Sequence, residues 1–464
     1  MDSVKAQKTS GCHLVAIPYP GRGHVNPMMN LCKLIASRGD DILITLVVTE
    51  EWLDFIGSSP EQAKIRFRSI PNVIPSERIR ALDFPGFVEA VYTKMGASVE
   101  QLLDQLEPSA TAIVADTYLP WAVSIGNRRN IPVGSLWTMS PSVFSLFYHF
   151  DLLSHNGHFP ADLSERGGEC IDYIPGISPI RLKDIPNVFS EASRLLLNRV
   201  IEAFNWVVKA QCLLVTSFYE MDTHVIDTLR TRLPFPVYPV GPSIPYATLV
   251  KDSPSTTTTL SDADCYYFKW LDSQPRSCVL YVSMGSFLST SSEQMEEIAA
   301  GLHDSGVRYL WVAREDASRF QETCGETGLV VPWCDQLRVL CHPSVGGFWT
   351  HCGWNSTLEA VFAGVPMLTF PILFDQFTDS KLIADDWKIG WRVTENVGAD
   401  TLVKREDIAN LVRKFMDHDG SETKEMRRRA REIQESCQRA IEKGGSSETN
   451  LSAFLRGFLQ CHVS

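Results

Sequence analysis

WCDQLRVLCHPSVGGFWTHCGWNSTLEAVFAGVPMLTFPILFDQ, residues 333–376, joins a strand, a sharp turn, a helix start and a carboxylate in one continuous segment. Within it VGGFWT (345–350) reads as a short buried strand. His351-Cys352-Gly353 then breaks the apolar pattern, and Asn355-Ser356-Thr357 opens a helix whose apolar face is Leu358, Val361 and Phe362. A helix that starts directly after a strand presents unpaired backbone N–H groups, and its dipole favours negative charge there. The dipole contributes about 0.3–1 kcal/mol, rising to about 2 kcal/mol where the site is partly buried. The segment therefore reads as a seat for a nucleotide diphosphate, with the Asn355 and Ser356 side chains as further donors. Glu359 can accept two hydrogen bonds from a sugar diol, and Trp333 offers a flat apolar face to a base.

These residue types at these spacings resemble the signature box of the plant family-one UDP-glycosyltransferases, which shares the segment's length of 44 residues. The resemblance implies that Trp333 stacks on uracil, Gln336 meets the nucleoside, Glu359 holds the ribose, and His351, Asn355 and Ser356 hold the diphosphate. It assigns Trp354, Asp375 and Gln376 to the transferred sugar. A terminal Gln in this box accompanies glucose donors and a His galactose donors, so Gln376 implies UDP-glucose as the co-substrate. The departure from the family pattern is Cys334-Asp335, where Ala-Pro is usual, and it touches only a local turn. Without such spacing, Trp333 and Trp354 would be read as core aromatics.

Strand-like and helix-like runs alternate on both sides of the box. Downstream of the polar leader, HLVAIPYP (13–20) reads as a strand, PGRGHVNP (20–27) as a tight loop, and MMNLCKLIASRG as a helix. Strands follow at 42–49, 65–70, 111–115, 133–137 and 212–216, with helical segments such as 87–106 and 191–209 between them. In the second half, 278–286, 308–313, 328–333 and 365–370 read as strands and 292–304 as a helix. A charged helical run spans 404–443, a turn 444–449, and a short amphipathic helix 450–459. This alternation predicts an α/β chain of two doubly wound, Rossmann-like domains. The expected division is 1–245, a linker at 246–261 that lacks any apolar period, and 262–445. By the resemblance the domains face each other as a GT-B glycosyltransferase fold, and the terminal segment 446–464 crosses back onto the first domain.

Transfer of a sugar from UDP to an alcohol or phenol needs a base, a stabilised leaving diphosphate and a dry cleft. His24 is the candidate base, because a histidine titrating near neutrality suits proton abstraction and an adjacent helix start disfavours its charged form. Asp116, closing the run TAIVAD, can bond the other ring nitrogen and fix the tautomer. Both residues lie at carboxyl ends of strands, where open α/β sheets place their sites. The resemblance assigns the same two roles through PxxxGHxxP and D-x-x-x-x-W, and implies direct inversion without a metal. The 353–356 backbone, including Gly353, would meet charge building on UDP, together with His351 and the turn at Gly285 and Ser286. Tyr118, Trp137, Met139, Phe144 and Phe147 form a candidate acceptor wall. By family analogy the acceptor is a phenolic, terpenoid or hormone-like small molecule.

The alternatives are a transferase that uses another UDP-sugar or a nitrogen or sulfur acceptor, and a non-catalytic UDP-sugar sensor, which would need neither His24 nor Asp116; other rival readings are weaker. Asp262-Ala263-Asp264 is formally a D-x-D metal motif, but it ends the soft, linker-like stretch 251–264 and does not lie at a strand end. Cys334, Cys341, His342, His351 and Cys352 are soft ligand types without a C-x-x-C pair. GRG (21–23) lacks the third glycine of a dinucleotide fingerprint, since position 26 is Asn26. A formal net charge of −12 argues against nucleic acid as a partner. The stretch 130–150 carries no Asp, Glu, Lys or Arg, yet Pro132, Gly134 and Pro141 argue against a membrane span. Residues 1–11 are polar and no leader pattern follows, so the expected compartment is the cytosol and the expected state a monomer. The 12 cysteines are then expected to be reduced, buried small apolar residues, and the Asn355 and Asn450 glycosylation patterns unused.

Overall fold

The computed structural model describes residues 11–38, 41–57, 64–160, 163–189, 193–246, 262–285, 290–322, 324–394 and 402–459. The predicted linker therefore lies outside the described residues, apart from Tyr246. Two parallel sheets organise the chain. The first contains β1 (Cys12–Ile17), β2 (Ile42–Thr49), β3 (Ile65–Ile70), β4 (Ala112–Asp116) and β5 (Val133–Trp137). A small antiparallel pair, β6 (Cys170–Ile171) and β7 (Ile180–Arg181), stands apart; β8 (Cys212–Val215) and β9 (Val237–Pro239) complete the first sheet. The second sheet is built from β10 (Val279–Ser283), β11 (Arg308–Val312), β12 (Gly328–Val331), β13 (Val345–Thr350), β14 (Met367–Thr369) and β15 (Gly390–Arg392).

The strand orders are β3-β2-β1-β4-β5-β8-β9 and β12-β11-β10-β13-β14-β15. Each sheet thus reverses its winding direction once, beside β1 in the first and beside β10 in the second. At such a reversal the loops leaving neighbouring strands part in opposite directions and open a crevice at the carboxyl ends. The central strands β1 and β13 are buried along their whole length, as parallel strands covered on both faces must be. The protein is a two-domain α/β chain of the GT-B class.

Several local expectations change. The first helix spans Arg22–Ala36, so PGRGHVNP is not a loop and His24 rides on the opening turn. Gly21 precedes that helix, and Pro27 sits inside it. A proline there has no N–H for the carbonyl four residues back, so the Gly23 oxygen is released from the helix ladder. The Pro-rich piece 234–245 contributes β9, which tolerates Pro239 because it is an edge strand. Asp262-Ala263-Asp264 opens the Asp262–Asp272 helix instead of belonging to the linker. The last helix starts earlier than expected, at Ser446, where Glu448 in the first turn complements the dipole.

Leu451, Phe454, Phe458 and Leu459 from this terminal segment join the core beneath the first sheet, beside Leu14 and Leu136. The Phe454 ring lies 6.0 Å from Tyr238, and Arg38 pairs with Glu448 at 2.7 Å. The uncharged stretch 130–150 is divided between β5 and the Pro141–Tyr148 helix. Among the described residues no helix is long and apolar enough to cross a membrane. The described cysteines are all free, and Cys170 and Cys341 are exposed where burial was expected.

Candidate active site

The first half of the site lies where β1 and β4 end. Asp116 is the last residue of β4, and His24 stands one helical turn past the Gly21 hinge after β1. His24 Nδ1 is 2.8 Å from Asp116 Oδ2, and Asp116 Oδ1 accepts the Tyr118 backbone N–H at 3.0 Å. Thr138 Oγ1 lies 2.9 Å from the same ring nitrogen. With a carboxylate as its neighbour, Nδ1 carries the proton and Nε2 the free lone pair. Tyr19 and Tyr118 flank the imidazole, their ring centroids 5.1 and 6.1 Å away. The His24 side chain keeps 17% of its surface while Asp116 keeps 1%, so the imidazole is reachable from solvent and its partner is not. Thr138 was not anticipated, although it follows directly on β5 and the strand-end rule points to it.

The second half is the box itself. Trp333 is 62% exposed, leaving its indole face open. Behind it runs a chain of polar contacts. Tyr281 Oη donates to Gln336 Oε1 at 3.1 Å, and Gln336 Nε2 donates to Ser356 Oγ at 2.8 Å and to Glu359 Oε2 at 2.6 Å. Burial pushes the Glu359 carboxyl up to about 7, against the opposing effect of the Gln336 bond. Tyr281 lies mid-strand and carries no sequence signal for this role.

His351 sits in a tight slot. A Cβ added at Gly285 or at Gly353 would lie 2.5 Å from its Nε2, so both flanks require glycine, and Gly285 also has φ +79°. Among the described residues its buried Nδ1 makes no hydrogen bond of full geometry, though the Ser283 backbone lies close enough to favour the protonated ring. Burial, aided by nearby Arg314, lowers its pKa to about 4, so at neutral pH the ring is an uncharged donor. Among the described residues Arg314 is a cation that acts on this histidine, and nothing in its local sequence singles it out. Ser286 lies outside the described residues.

Asn355 joins the two halves. Asn355 Nδ2 donates to the Gly23 oxygen at 3.0 Å, which is the carbonyl that Pro27 leaves free. Among the described residues the buried Asn355 Oδ1 has no hydrogen-bond partner. Asp375 precedes the Gln376–Lys381 helix, and Gln376 Oε1 accepts the Ile372 and Leu373 N–H groups at 2.8 and 2.9 Å. The Gln376 amide nitrogen is thereby turned away from its own loop. Burial raises the carboxyls of Asp375 and of its neighbour Asp379, which is fully enclosed.

Two groups of expected residues are placed differently. The Trp354 indole is buried among Ile244, Leu337, Leu358 and Leu382, so only its backbone N–H, at the first position of the helix, faces the crevice. Trp137, Phe144 and Phe147 are core side chains, packed with Phe189 and Phe204. Tyr118 and Met139, whose Oη and Sδ are 3.8 Å apart, are partly exposed. Among the described residues no cluster of three His, Cys, Asp or Glu side chains is arranged to hold a metal ion.

Comparison with known proteins gives this geometry its family. A model described as UDP-glucoronosyl and UDP-glucosyl transferase matches residues 200–427. UDP-glycosyltransferase 87A2 of Arabidopsis thaliana is 47% identical over 458 residues, covering 98% of this chain and 99% of that protein. The chain belongs to the plant family-one UDP-glycosyltransferases. The 7-deoxyloganetin glucosyltransferase of Catharanthus roseus is 31% identical, covering 96% of each chain. Among solved structures, Os79 from O. sativa in complex with UDP superposes with a TM-score of 0.81 at 27% identity, covering 96% of this chain and 99% of that one. Phytolacca americana UGT2, complexed with UDP-2fluoro-glucose and pterostilbene, gives 0.80 at 27% identity with the same coverage. This glycosyltransferase moves a glycosyl group from a UDP-sugar to small acceptors.

Proposed function

We propose that the protein is an inverting UDP-glucosyltransferase acting on a hydroxyl of a small lipophilic acceptor. The observation that carries this reading is the His24–Asp116 contact of 2.8 Å at the winding reversal of one sheet, opposite the donor box at the reversal of the other. His24 Nε2 takes the acceptor hydroxyl proton. The oxygen attacks the anomeric carbon as the bond from that carbon to the diphosphate oxygen breaks, and UDP leaves with the electron pair. Asp116 and Thr138 hold the tautomer, and Asp116 stabilises the imidazolium as it forms. Neutral His351, Asn355, Ser356 and the 353–356 backbone N–H groups receive the charge on the departing diphosphate. Trp333 and Glu359 hold the nucleoside, and Asp375 and Gln376 the glucose. The tyrosine-lined walls around His24 suit a flat, apolar acceptor such as a phenol or terpenoid alcohol. Relatives named for glucose transfer and for complexes with a UDP-fluoroglucose and pterostilbene support the same donor and acceptor chemistry.

The test is acceptor-dependent UDP release from UDP-glucose, set beside UDP-galactose, with pooled phenols and terpenoid alcohols. His24→Ala is expected to lose about 10²–10⁴-fold in turnover, the range of a general base, with UDP affinity retained. Near wild-type turnover in that variant would remove His24 as the base. Equal use of UDP-galactose would remove the assignment of glucose.

A further inference from the structure

The loop that enters the Asp375-Gln376 pair contains a strained residue. Phe374 has φ +56°, a left-handed conformation that costs a bulky side chain about 1–3 kcal/mol and persists only where surroundings enforce it. Part of the enforcement is local, since Gln376 Oε1 bonds the two preceding N–H groups. The rest comes from the other domain. Asn187 Oδ1 accepts the Phe374 N–H at 2.9 Å, and the Phe84 ring lies 5.2 Å from the Phe374 ring.

Asn187 is a firm anchor. It opens a short turn, Asn187–Phe189, whose Val188 and Phe189 are buried in the aromatic core with Trp137 and Phe147. Further bonds join its segment to the helical stretch that follows the box. Thr378 Oγ1 donates to the Asp184 oxygen at 2.8 Å, and Ser178 bonds both Lys381 and Asp386. Of these contacts, only that of Asn187 reaches the loop immediately before Asp375.

We infer that Asn187, on the acceptor-side domain, is a positioning residue that shapes the sugar-binding loop of the donor-side domain through the Phe374 N–H. The inference rests on the reading that Asp375 and Gln376 hold the transferred sugar. Trp333, Gln336 and Glu359, which meet the nucleoside, and His351 and Ser356, which meet the diphosphate, all belong to the second domain. UDP can therefore be bound by that domain alone, whereas the glucose seat takes its shape only when both domains are together. Asn187 then acts on the sugar-dependent part of donor affinity.

The experiment measures KM for UDP-glucose, the inhibition constant of UDP, and melting temperature for Asn187→Ala, Asn187→Asp and Gln376→Ala. Loss of one neutral hydrogen bond predicts a rise of about three- to tenfold in KM for Asn187→Ala, with the UDP constant unchanged. Asn187→Asp presents the same acceptor atom and is expected to recover most of that loss. If Gln376→Ala raises KM and Asn187→Ala does not, the role of Asn187 is overturned while the sugar reading stands. If neither variant raises KM, the sugar reading itself fails and the inference falls with it. Equal weakening of UDP, or equal behaviour of the Ala and Asp variants, would reduce Asn187 to a structural contact.

Discussion

The titration of Glu359 makes the donor site sensitive to pH in a direction that can be worked out. Its carboxyl is pushed up to about 7 by burial, and on the proposed reading it must be ionised to accept both hydroxyls of the ribose. A raised pKa means that the proton leaves late, so donor affinity is complete above about pH 8 and is lost as pH falls through about 7. With one controlling group, the ionised fraction drops from about 0.9 at pH 8 to about 0.1 at pH 6, so the dissociation constant rises about tenfold, equivalent to about 1.4 kcal/mol. His351 titrates at about 4 and stays neutral across this window. UDP-glucose is the ligand of choice, because its diphosphate is esterified at both ends and has no ionisation near neutrality. Calorimetric titration across pH 6–8 in the absence of acceptor would compare wild type with Glu359→Gln. The variant should bind more weakly at pH 8 and lose most of the slope. Raised Asp375 titrates alike in both proteins, so the difference between their slopes isolates Glu359. Identical slopes would refute the reasoning.

Two further outcomes test the packing. Gly285→Ala would place a methyl group 2.5 Å from His351 Nε2 at a positive φ, and overpacking of about 1–3 kcal/mol should weaken UDP binding about 5- to 150-fold, read by calorimetry. Phe454→Ala removes a ring buried against the first sheet from the terminal helix; a loss of about 3–5 kcal/mol in a urea melt is expected, and a loss below about 1 kcal/mol would show that the terminal helix does not brace the first domain.

Much of the candidate site is legible in the chain because its parts sit at fixed places in a repeating local pattern. A buried run followed by a polar break and a helix start marks β13 and its turn, and similar strand ends carry His24 and Asp116. The register of apolar residues located β2, β3, β5 and β13 to the residue. Periodicity failed where two demands compete within a few residues. Glycine and proline at 21–27 read as a loop, yet the helix starts at Arg22, because the carbonyl that Pro27 cannot satisfy finds Asn355 332 positions away.

Sequence by itself determined the α/β alternation, the two winding halves, the strand, turn and helix of residues 345–363 and the strand-end histidine and aspartate, since each depends on neighbours within one element and its turn. Only the tertiary structure decided which aromatics wall the cleft. Trp137, Phe144 and Phe147 have the same apolar character as a ligand wall, but Phe189 and Phe204, brought in from later segments, cover them. The bonds from Asn355 to Gly23 and from Phe374 to Asn187 likewise join residues in separate domains. Local pattern records which face of an element avoids water; what that face meets depends on how the domains dock, and no period in the chain encodes it.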